Sequence, residues 1–420
     1  MKKQKTWNIL LASALVSFLL TACGSGNTEN NSASSAGTSG ESSSANNTAE
    51  QAADSGSADE IVIGYIGALS GNSAPMGIPG KNGIELAVES INESGGINGK
   101  KVKLVALDDK ADPATSATQA QKLIIDDKAV AIIGGPNSGT VKANSQVIAQ
   151  YGVPELIAIA MEDTLIDPNS PTYKSTFSMT ENNSYDIRAV AQYIKANGYK
   201  KIGVIADNTA YGQGGIASIK SIMEQEGVEI GMTVDHPVAT KDLTAQAMKL
   251  RDANVDLVYV YSLGADGALF MKTIKQIGWD VPVVGGRGLN MKSFVDLAGD
   301  AANGMILPSV VNPNKPAAQE FIQKYDAKYN DDPAHVYSIL GYDAMYLLAE
   351  ALKKTDGKGG EELIKALEEL KDVPTASGGM NHKASFGPNK HYAPTENFIV
   401  FNIVKDGTFT MLTDEVQSGW

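Results

Sequence analysis

A single arginine, Arg287, lies among three glycines in the stretch VPVVGGRGLN, residues 281–290. The apolar run before it, Val281 to Val284, predicts a β-strand. A guanidinium group is a planar fork of donors that suits carboxylate or phosphate and cannot accept a hydrogen bond from an ammonium group. Because glycines allow a ligand to approach the backbone closely, the stretch predicts an anion-binding turn.

A second candidate for anion binding is the stretch GGPNSGT, residues 134–140. We expect Ser138 to cap the helix that follows and the backbone amides of Gly139 and Thr140 to face a ligand. The N-terminus of a helix offers free N–H groups and the positive end of the helix dipole, so it binds anions. A purely structural cap at Ser138 is the alternative, and the two roles are compatible.

The elements that position these residues follow a regular alternation. Short apolar runs predict strands at 61–66, 102–107, 129–133, 153–159, 202–206, 256–261, 281–284 and 304–310. Segments of helical period lie between them, at 79–93, 114–126, 139–150, 186–197, 213–226, 242–253 and 266–277. This pattern predicts parallel sheets covered by helices on both faces. Ligands of such sheets bind beyond the carboxyl ends of the strands, so function is expected at the strand-to-helix junctions.

The first 58 residues predict export and attachment to a membrane. Residues 1–22 combine three lysines with the apolar run 9–22, which is typical of a signal peptide. The sequence LLTAC ending at Cys23 resembles the lipobox of bacterial lipoproteins, and Cys23 is the only cysteine, so we expect a lipid anchor there. An ordinary signal peptide with an incidental cysteine is the alternative. Residues 24–58 hold no lysine, arginine, aromatic or large aliphatic residue and predict a disordered tether.

Composition and motifs exclude several classes of function. The formal net charge of −13 disfavours nucleic-acid binding. The junctions contain no Ser-His-Asp or Cys-His set, the four histidines lack metal-ligand spacing, and there is no P-loop, so we expect no catalytic residue, metal or cofactor. Gly212, Gly214 and Ala217 do match a dinucleotide fingerprint, with Asp235 further on. Five residues separate that fingerprint from its strand, and an exported protein has no supply of the cofactor, so a dinucleotide-dependent enzyme is a minor alternative.

The junctions also carry a family pattern. The segment beginning IGYIGALSG and running through GIELAVESINESGGINGKKVKLVALDDKADPATSATQAQKLI resembles the opening of the leucine/isoleucine/valine-type periplasmic binding proteins. The stretches AIIGGPNSGT, IADNTAYGQGG and LAGDAANGM follow in that family's order and spacing, so the resemblance covers about 60–420. It implies a type I periplasmic-binding-protein fold, in which two α/β lobes, each a mostly parallel sheet flanked by helices, are joined by three crossovers.

The resemblance further implies a domain division and a role. Lobe 1 would comprise 59–179 plus 312–384, and lobe 2 would comprise 180–311 plus 385–420. The protein would be a monomeric, extracytoplasmic solute-binding lipoprotein that captures a small amino acid or carboxylate between its lobes and delivers it to the permease of an ABC importer. It would not be an enzyme. A ligand-sensing receptor module of the same fold is the alternative.

Five site residues are expected from the resemblance. Ser138 matches the serine that binds the ligand carboxylate, and Tyr211 matches a tyrosine that packs on the ligand. Ala160 matches the alanine of an SAT-like triplet that follows the strand at 153–159 in amino-acid-binding relatives. Met161 stands where that triplet has a threonine that helps to hold the amino acid. Met76 replaces a tyrosine found in some relatives. Both methionines make the pocket less polar; a role as core filler is the alternative.

Arg287 is the largest departure from the family pattern. Amino-acid-binding relatives place an acid here, in a turn that receives the ligand's ammonium group. Three interpretations stay open: a ligand that lacks the ammonium or bears another carboxylate, neighbouring acids that pair with Arg287 and leave a net acid for the ammonium, and an arginine that faces solvent. The acids considered for the second are Glu162, Asp163, Asp207 and Asp266. We favour the first, with a small organic acid or acidic amino-acid derivative as ligand.

Overall fold

The computed structural model describes residues 60–394 and 397–412. The strands are β1 (Ile61–Gly67), β2 (Val102–Asp108), β3 (Ala131–Gly134), β4 (Glu155–Ile157), β5 (Thr176–Ser178), β6 (Lys201–Asp207), β7 (Glu229–His236), β8 (Leu257–Tyr261), β9 (Val283–Gly285), β10 (Ile306–Ser309), β11 (Val373–Pro374), β12 (Lys383–Ala384), β13 (Val400–Lys405) and β14 (Thr408–Leu412). The helices are α1 (Ala74–Glu93), α2 (Pro113–Ile125), α3 (Ser138–Gln150), α4 (Asn183–Ala196), α5 (Ala210–Glu226), α6 (Thr244–Asp252), α7 (Gly264–Gln276), α8 (Lys292–Ala298), α9 (Pro316–Lys328), α10 (Val336–Lys354) and α11 (Gly360–Glu368).

The strands form two main sheets. The first has the order β2-β1-β3-β4-β5, and all its pairs are parallel. The second has the order β14-β13-β10-β9-β8-β6-β7 and is parallel from β10 to β7, while β13 and β14 add an antiparallel edge. A short antiparallel pair, β11 and β12, lies apart from both. The predicted mostly parallel α/β fold is therefore confirmed.

Local signals in the sequence explain several element boundaries. Helix α2 begins with Pro113, whose missing N–H costs nothing there, and the Asp112 side chain accepts from the Thr115 amide at 2.7 Å. The Asn182 side chain caps α4 in the same way, accepting from the Tyr185 amide at 2.9 Å. Helix α5 ends at Gly227, whose φ of +71° is a conformation that glycine adopts without strain.

The core lies between the sheets and the helices that cover them. Strand β8 shows why the central strands read as unbroken apolar runs, since each of its five residues is buried. The periodicity did not predict β5, β7 or the strands β11 to β14 that follow the last predicted run, and β5 and β7 show why. Strand β5 has only three residues, and β7 is a half-exposed edge strand that contains a glycine, Gly231. Among the described residues, no helix is long and apolar enough to cross a membrane.

Candidate ligand-binding site

A cavity of about 610 Å³ opens where the carboxyl ends of both main sheets face each other. Its volume lies in the range of small-molecule sites. The lining comes from the segments that follow β1 to β4 of the first sheet and β6 to β9 of the second, together with the start of α10. The lining residues are Gly71, Asn72, Ser73, Met76, Lys110, Ala111, Pro113, Pro136, Asn137, Ser138, Gly139, Thr140, Ile159, Met161, Thr209, Ala210, Tyr211, Val238, Leu263, Arg287, Gly288 and Tyr337.

The cavity brings together all but one of the residues expected at the site. The lining includes Met76, Ser138, Gly139, Thr140, Met161, Tyr211 and Arg287. Ala160 is the exception, since it is buried in a small apolar cluster with Val141, Ile157, Leu165 and Ile166. Consecutive side chains of an extended segment point to opposite sides. Ile159 and Met161 therefore face the cavity while Ala160, between them, faces away.

The N-terminus of α3 differs in detail from the expectation. The helix begins at Ser138 and its N-cap is Asn137, so Ser138 is the first helical residue and not the cap. Its side chain is 3% exposed, and its hydroxyl has no hydrogen-bond partner in the described part of the chain. The amide and the hydroxyl of Thr140 both donate to the Asn137 carbonyl, at 3.1 and 3.0 Å, so neither is free for a ligand. Among the described residues, the Ser138 hydroxyl is therefore a free donor at this end of the helix, beside the first amides of the helix.

Arg287, which follows β9, is buried with 1% of its surface exposed, so the solvent-facing interpretation is wrong. Its Nη2 donates to the Ile159 carbonyl at 2.5 Å, and its Nε donates to Met161 Sδ at 2.9 Å. The same Nε lies 2.7 Å from Oε1 of Glu181, which is also buried. The guanidinium thus reaches from the end of one sheet to the segment that follows β4 in the other.

Within the described residues, none of the four acids considered as partners forms an ion pair with Arg287. Glu162 accepts from Thr164, Asp163 from Ser184 and Ser218, Asp207 from Thr209, and Asp266 from the Ala239 amide. Each carboxylate thus shapes a local turn or holds neighbouring elements together. Glu181 takes the place expected for them, and no sequence signal singled it out because it follows β5, a strand that the apolar runs did not predict.

A second missed acid, Asp186, completes a buried charged cluster with Arg287 and Glu181. Its carboxyl group is buried and has no hydrogen-bond partner among the described residues. Burial, and then the neighbouring Glu181 carboxylate, raise the pKa of Asp186 well above its ordinary value, although Arg287 acts in the opposite direction. Nη1 of Arg287 also lacks a partner and remains a free donor.

Two tyrosines fix the walls near Arg287. The ring of Tyr211 stacks on Tyr261 at 4.5 Å between centroids, and its hydroxyl accepts from the Gly288 amide at 3.4 Å. Tyr337, at the start of α10, donates through its hydroxyl to the Arg287 carbonyl at 3.1 Å. Tyr337 was not predicted because it lies far along the chain in a buried helix. The two rings hold the backbone around Arg287 in place.

A second helix N-terminus, that of α5, faces the cavity opposite α3. Asp207 accepts from the Thr209 amide at 2.9 Å, and Thr209 caps the helix by accepting from the Gly212 amide at 3.4 Å. A Cβ at Gly139 would lie 3.8 Å from the Ala210 side chain, so the two helix ends are close. Both positive dipole ends favour a negatively charged or oxygen-rich ligand.

The glycines of the dinucleotide fingerprint serve packing. Gly212 and Gly214 lie inside α5 and not in a loop before it. A Cβ at Gly212 would be 2.0 Å from the Asp207 carbonyl, so glycine is required where the helix crosses the end of β6. The described residues contain no group of three possible metal ligands.

Two mostly parallel sheets whose strand ends share one cavity define an α/β protein with a ligand-sized site at its strand ends. The chain belongs to the periplasmic binding protein family, whose family model matches residues 60–408. The resemblance drawn from the junction sequences is therefore confirmed.

Relatives and solved structures agree with this assignment. The chain is 28% identical over 358 residues to a leucine-, isoleucine-, valine-, threonine- and alanine-binding protein of Pseudomonas aeruginosa, covering 84% of this chain and 92% of that one. It is 25% identical to the branched-chain amino acid transporter substrate-binding protein LivJ of Streptococcus pneumoniae in complex with isoleucine, with a TM-score of 0.73 and coverage of 84% and 100%. An ABC transporter substrate-binding protein of Desulfitobacterium hafniense, in complex with leucine, is 25% identical with a TM-score of 0.70 and the same coverage.

Proposed function

We propose that the protein is an extracytoplasmic solute-binding protein that captures a small amino acid or carboxylate-bearing ligand and delivers it to an ABC importer. One observation carries the proposal: a cavity of about 610 Å³ between the strand ends of two sheets, with the unpartnered Ser138 hydroxyl at a helix N-terminus. The named ligands and transporter roles of the relatives support it. The protein acts by binding, as a monomer, and not by catalysis.

Capture proceeds by closure of two lobes, 59–179 plus 312–384 and 180–311 plus 385–420. Contacts that cross between these segments support the mechanism. Asp163 accepts from the Ser184 amide at 3.0 Å and from the Ser218 hydroxyl on α5, and Arg287 donates to Ile159. A ligand that touches both lobes stabilises the closed form, which the permease then recognises.

The protein is held at the membrane by a lipid on Cys23, with the polar residues 24–58 as a tether. Cys23 and the tether lie outside the described residues, and the proposal stands on their sequence. A Cys23→Ala variant expressed in bacteria is expected to leave the membrane fraction for the soluble fraction. Continued membrane partitioning of that variant would disprove lipid attachment at Cys23.

Ligand binding is tested by a thermal-shift screen of the full-length chain in detergent against amino acids and carboxylic acids. A ligand present at a hundred times its Kd stabilises the folded state by about 2.7 kcal/mol. Small-angle scattering with a hit is expected to show a smaller radius of gyration than without it, because the lobes close. The absence of any hit among both ligand classes would refute the proposal.

A further inference from the structure

The cavity has cations in its lining but no carboxylate. Among the described residues that line it, Lys110 and Arg287 are basic and none is aspartate or glutamate. An ammonium group taken out of water needs acceptors, and a carboxylate is the strongest of them. A bound amino acid would therefore find no acid facing its ammonium group.

The acids nearest Arg287, Glu181 and Asp186, are buried and are not among the residues that line the cavity. Glu181 has Oε1 at 2.7 Å from the Arg287 Nε, and its Oε2 accepts from the Thr180 hydroxyl at 2.7 Å. Asp186 is buried in the same cluster and is close enough to Arg287 for their charges to interact. The guanidinium thus balances the charge of one carboxyl group, and burial raises the pKa of Asp186 and favours its uncharged, protonated form, so neither group needs a ligand's ammonium as counter-charge.

Two buried donors remain for a ligand, one on each side of the cavity. The Ser138 hydroxyl follows β3 of the first sheet, and Nη1 of Arg287 follows β9 of the second. Neither has a hydrogen-bond partner in the described structure, and both side chains are at most 3% exposed. Buried donors of this kind are costly to leave unpaired, so each indicates an oxygen acceptor on the ligand.

From these contacts we infer that the ligand is an organic acid without an ammonium group. Its carboxylate binds at Ser138 and the N-terminus of α3, and a second oxygen, as keto, hydroxyl or carboxylate, accepts from Arg287. Its apolar body packs against Met76, Met161 and Tyr211, which line the space between. This inference rests on the proposed function and narrows its ligand class.

The test uses ligands that differ only at the ammonium position. Isothermal titration calorimetry of the full-length chain in detergent compares an amino acid, its 2-oxo acid and its 2-hydroxy acid on three carbon skeletons: branched aliphatic, aromatic and dicarboxylic. We expect an oxo or hydroxy acid to bind at least tenfold more tightly than the amino acid of the same skeleton. Tighter binding of an amino acid would overturn the inference and leave the proposed function intact. No binding by any of the compounds would overturn both.

A variant then tests the role assigned to Arg287. In Arg287→Met, Glu181 and Asp186 lose their cation, so preference should shift toward the amino acid by at least tenfold. Arg188→Met removes an exposed arginine paired with Glu226 at 3.1 Å and is the matched control, with unchanged preference expected. An unchanged preference in Arg287→Met would overturn the role. Should that variant fail to fold, Arg287→Lys is tested instead, since it keeps the charge but loses the planar fork. We expect it to weaken binding of the organic acid at least tenfold without reversing the preference. Unaltered binding would refute the inference.

Discussion

Loss of the Arg287 guanidinium should destabilise the folded protein strongly. Arg287 and Glu181 are each 1% exposed, and Asp186 is fully buried, so Arg287→Met leaves two carboxyl groups in the interior without a cation. Breaking a buried ion pair by removing one partner costs about 3–5 kcal/mol. For a folded body of roughly 350 residues, whose unfolding entropy is about 0.7 kcal/mol per kelvin, that loss lowers Tm by about 4–7 °C.

Part of the lost unfolding free energy should be recovered when Glu181, which Arg287→Met leaves without its cation, is also replaced. The assay is urea unfolding followed by circular dichroism for wild type, Arg287→Met, Glu181→Gln and the double variant, with Arg188→Met as a surface control that costs at most about 1 kcal/mol. We expect the double variant to lose clearly less than the two single losses together. The Arg287→Met loss should also be larger at pH 8 than at pH 5, since Arg287 lowers the pKa of Asp186 and its removal lets burial raise that pKa further.

Two results would refute this account of the cluster. One is a loss below about 1 kcal/mol in Arg287→Met, the range of an exposed ion pair. The other is strict additivity of the two single variants, which would mean that the side chains do not interact in the folded state.

Three further predictions test other parts of the site and fold. Ser138→Ala should weaken the binding of a carboxylate ligand about tenfold or more in calorimetry. Tm should change little, because the lost hydroxyl has no hydrogen-bond partner among the described residues. Unchanged affinity would remove Ser138 from the site. Gly215→Ala places a Cβ 2.2 Å from the Tyr261 ring, on which Tyr211 stacks, so it should lower both Tm and ligand affinity. Gly139→Ala is the control: its Cβ would lie 3.8 Å from the Ala210 side chain, so Tm should not change. Burial raises the pKa of Glu155 to about 8, so the folded state holds a proton that the unfolded chain releases, and the unfolding free energy should fall as pH rises from 5 to 8. Glu155→Gln should reduce that fall by up to about 1.4 kcal/mol per pH unit in urea unfolding at the two pH values, and an unaltered slope would contradict the assignment.

Much of the fold could be read from local patterns. Apolar runs such as 256–261 and caps such as Asp112 act through neighbouring residues, so the sequence shows them directly. Two of the missed strands, β5 and β7, are stabilised by pairing with distant strands and have little local signal. The Ser138 cap was placed one residue late for a related reason, since Asn137 and Ser138 are both good capping residues and only the backbone conformation distinguishes them.

The features of the site also divide into those predicted from the sequence and those that required the tertiary structure. The sequence by itself determined that polar and glycine-rich junctions follow the parallel strands, and that one arginine lies among the glycines after the run 281–284. Only the tertiary structure decided that this arginine is buried against Glu181, and that Tyr337 closes the wall behind it. A charge pair depends on which strand ends converge in space, and the periodicity of a single chain does not encode which distant side chains share the same interior. The stretch VPVVGGRGLN therefore predicted a hydrogen-bond donor at Arg287. Only the fold showed that a buried carboxylate, Glu181, balances the charge of this arginine.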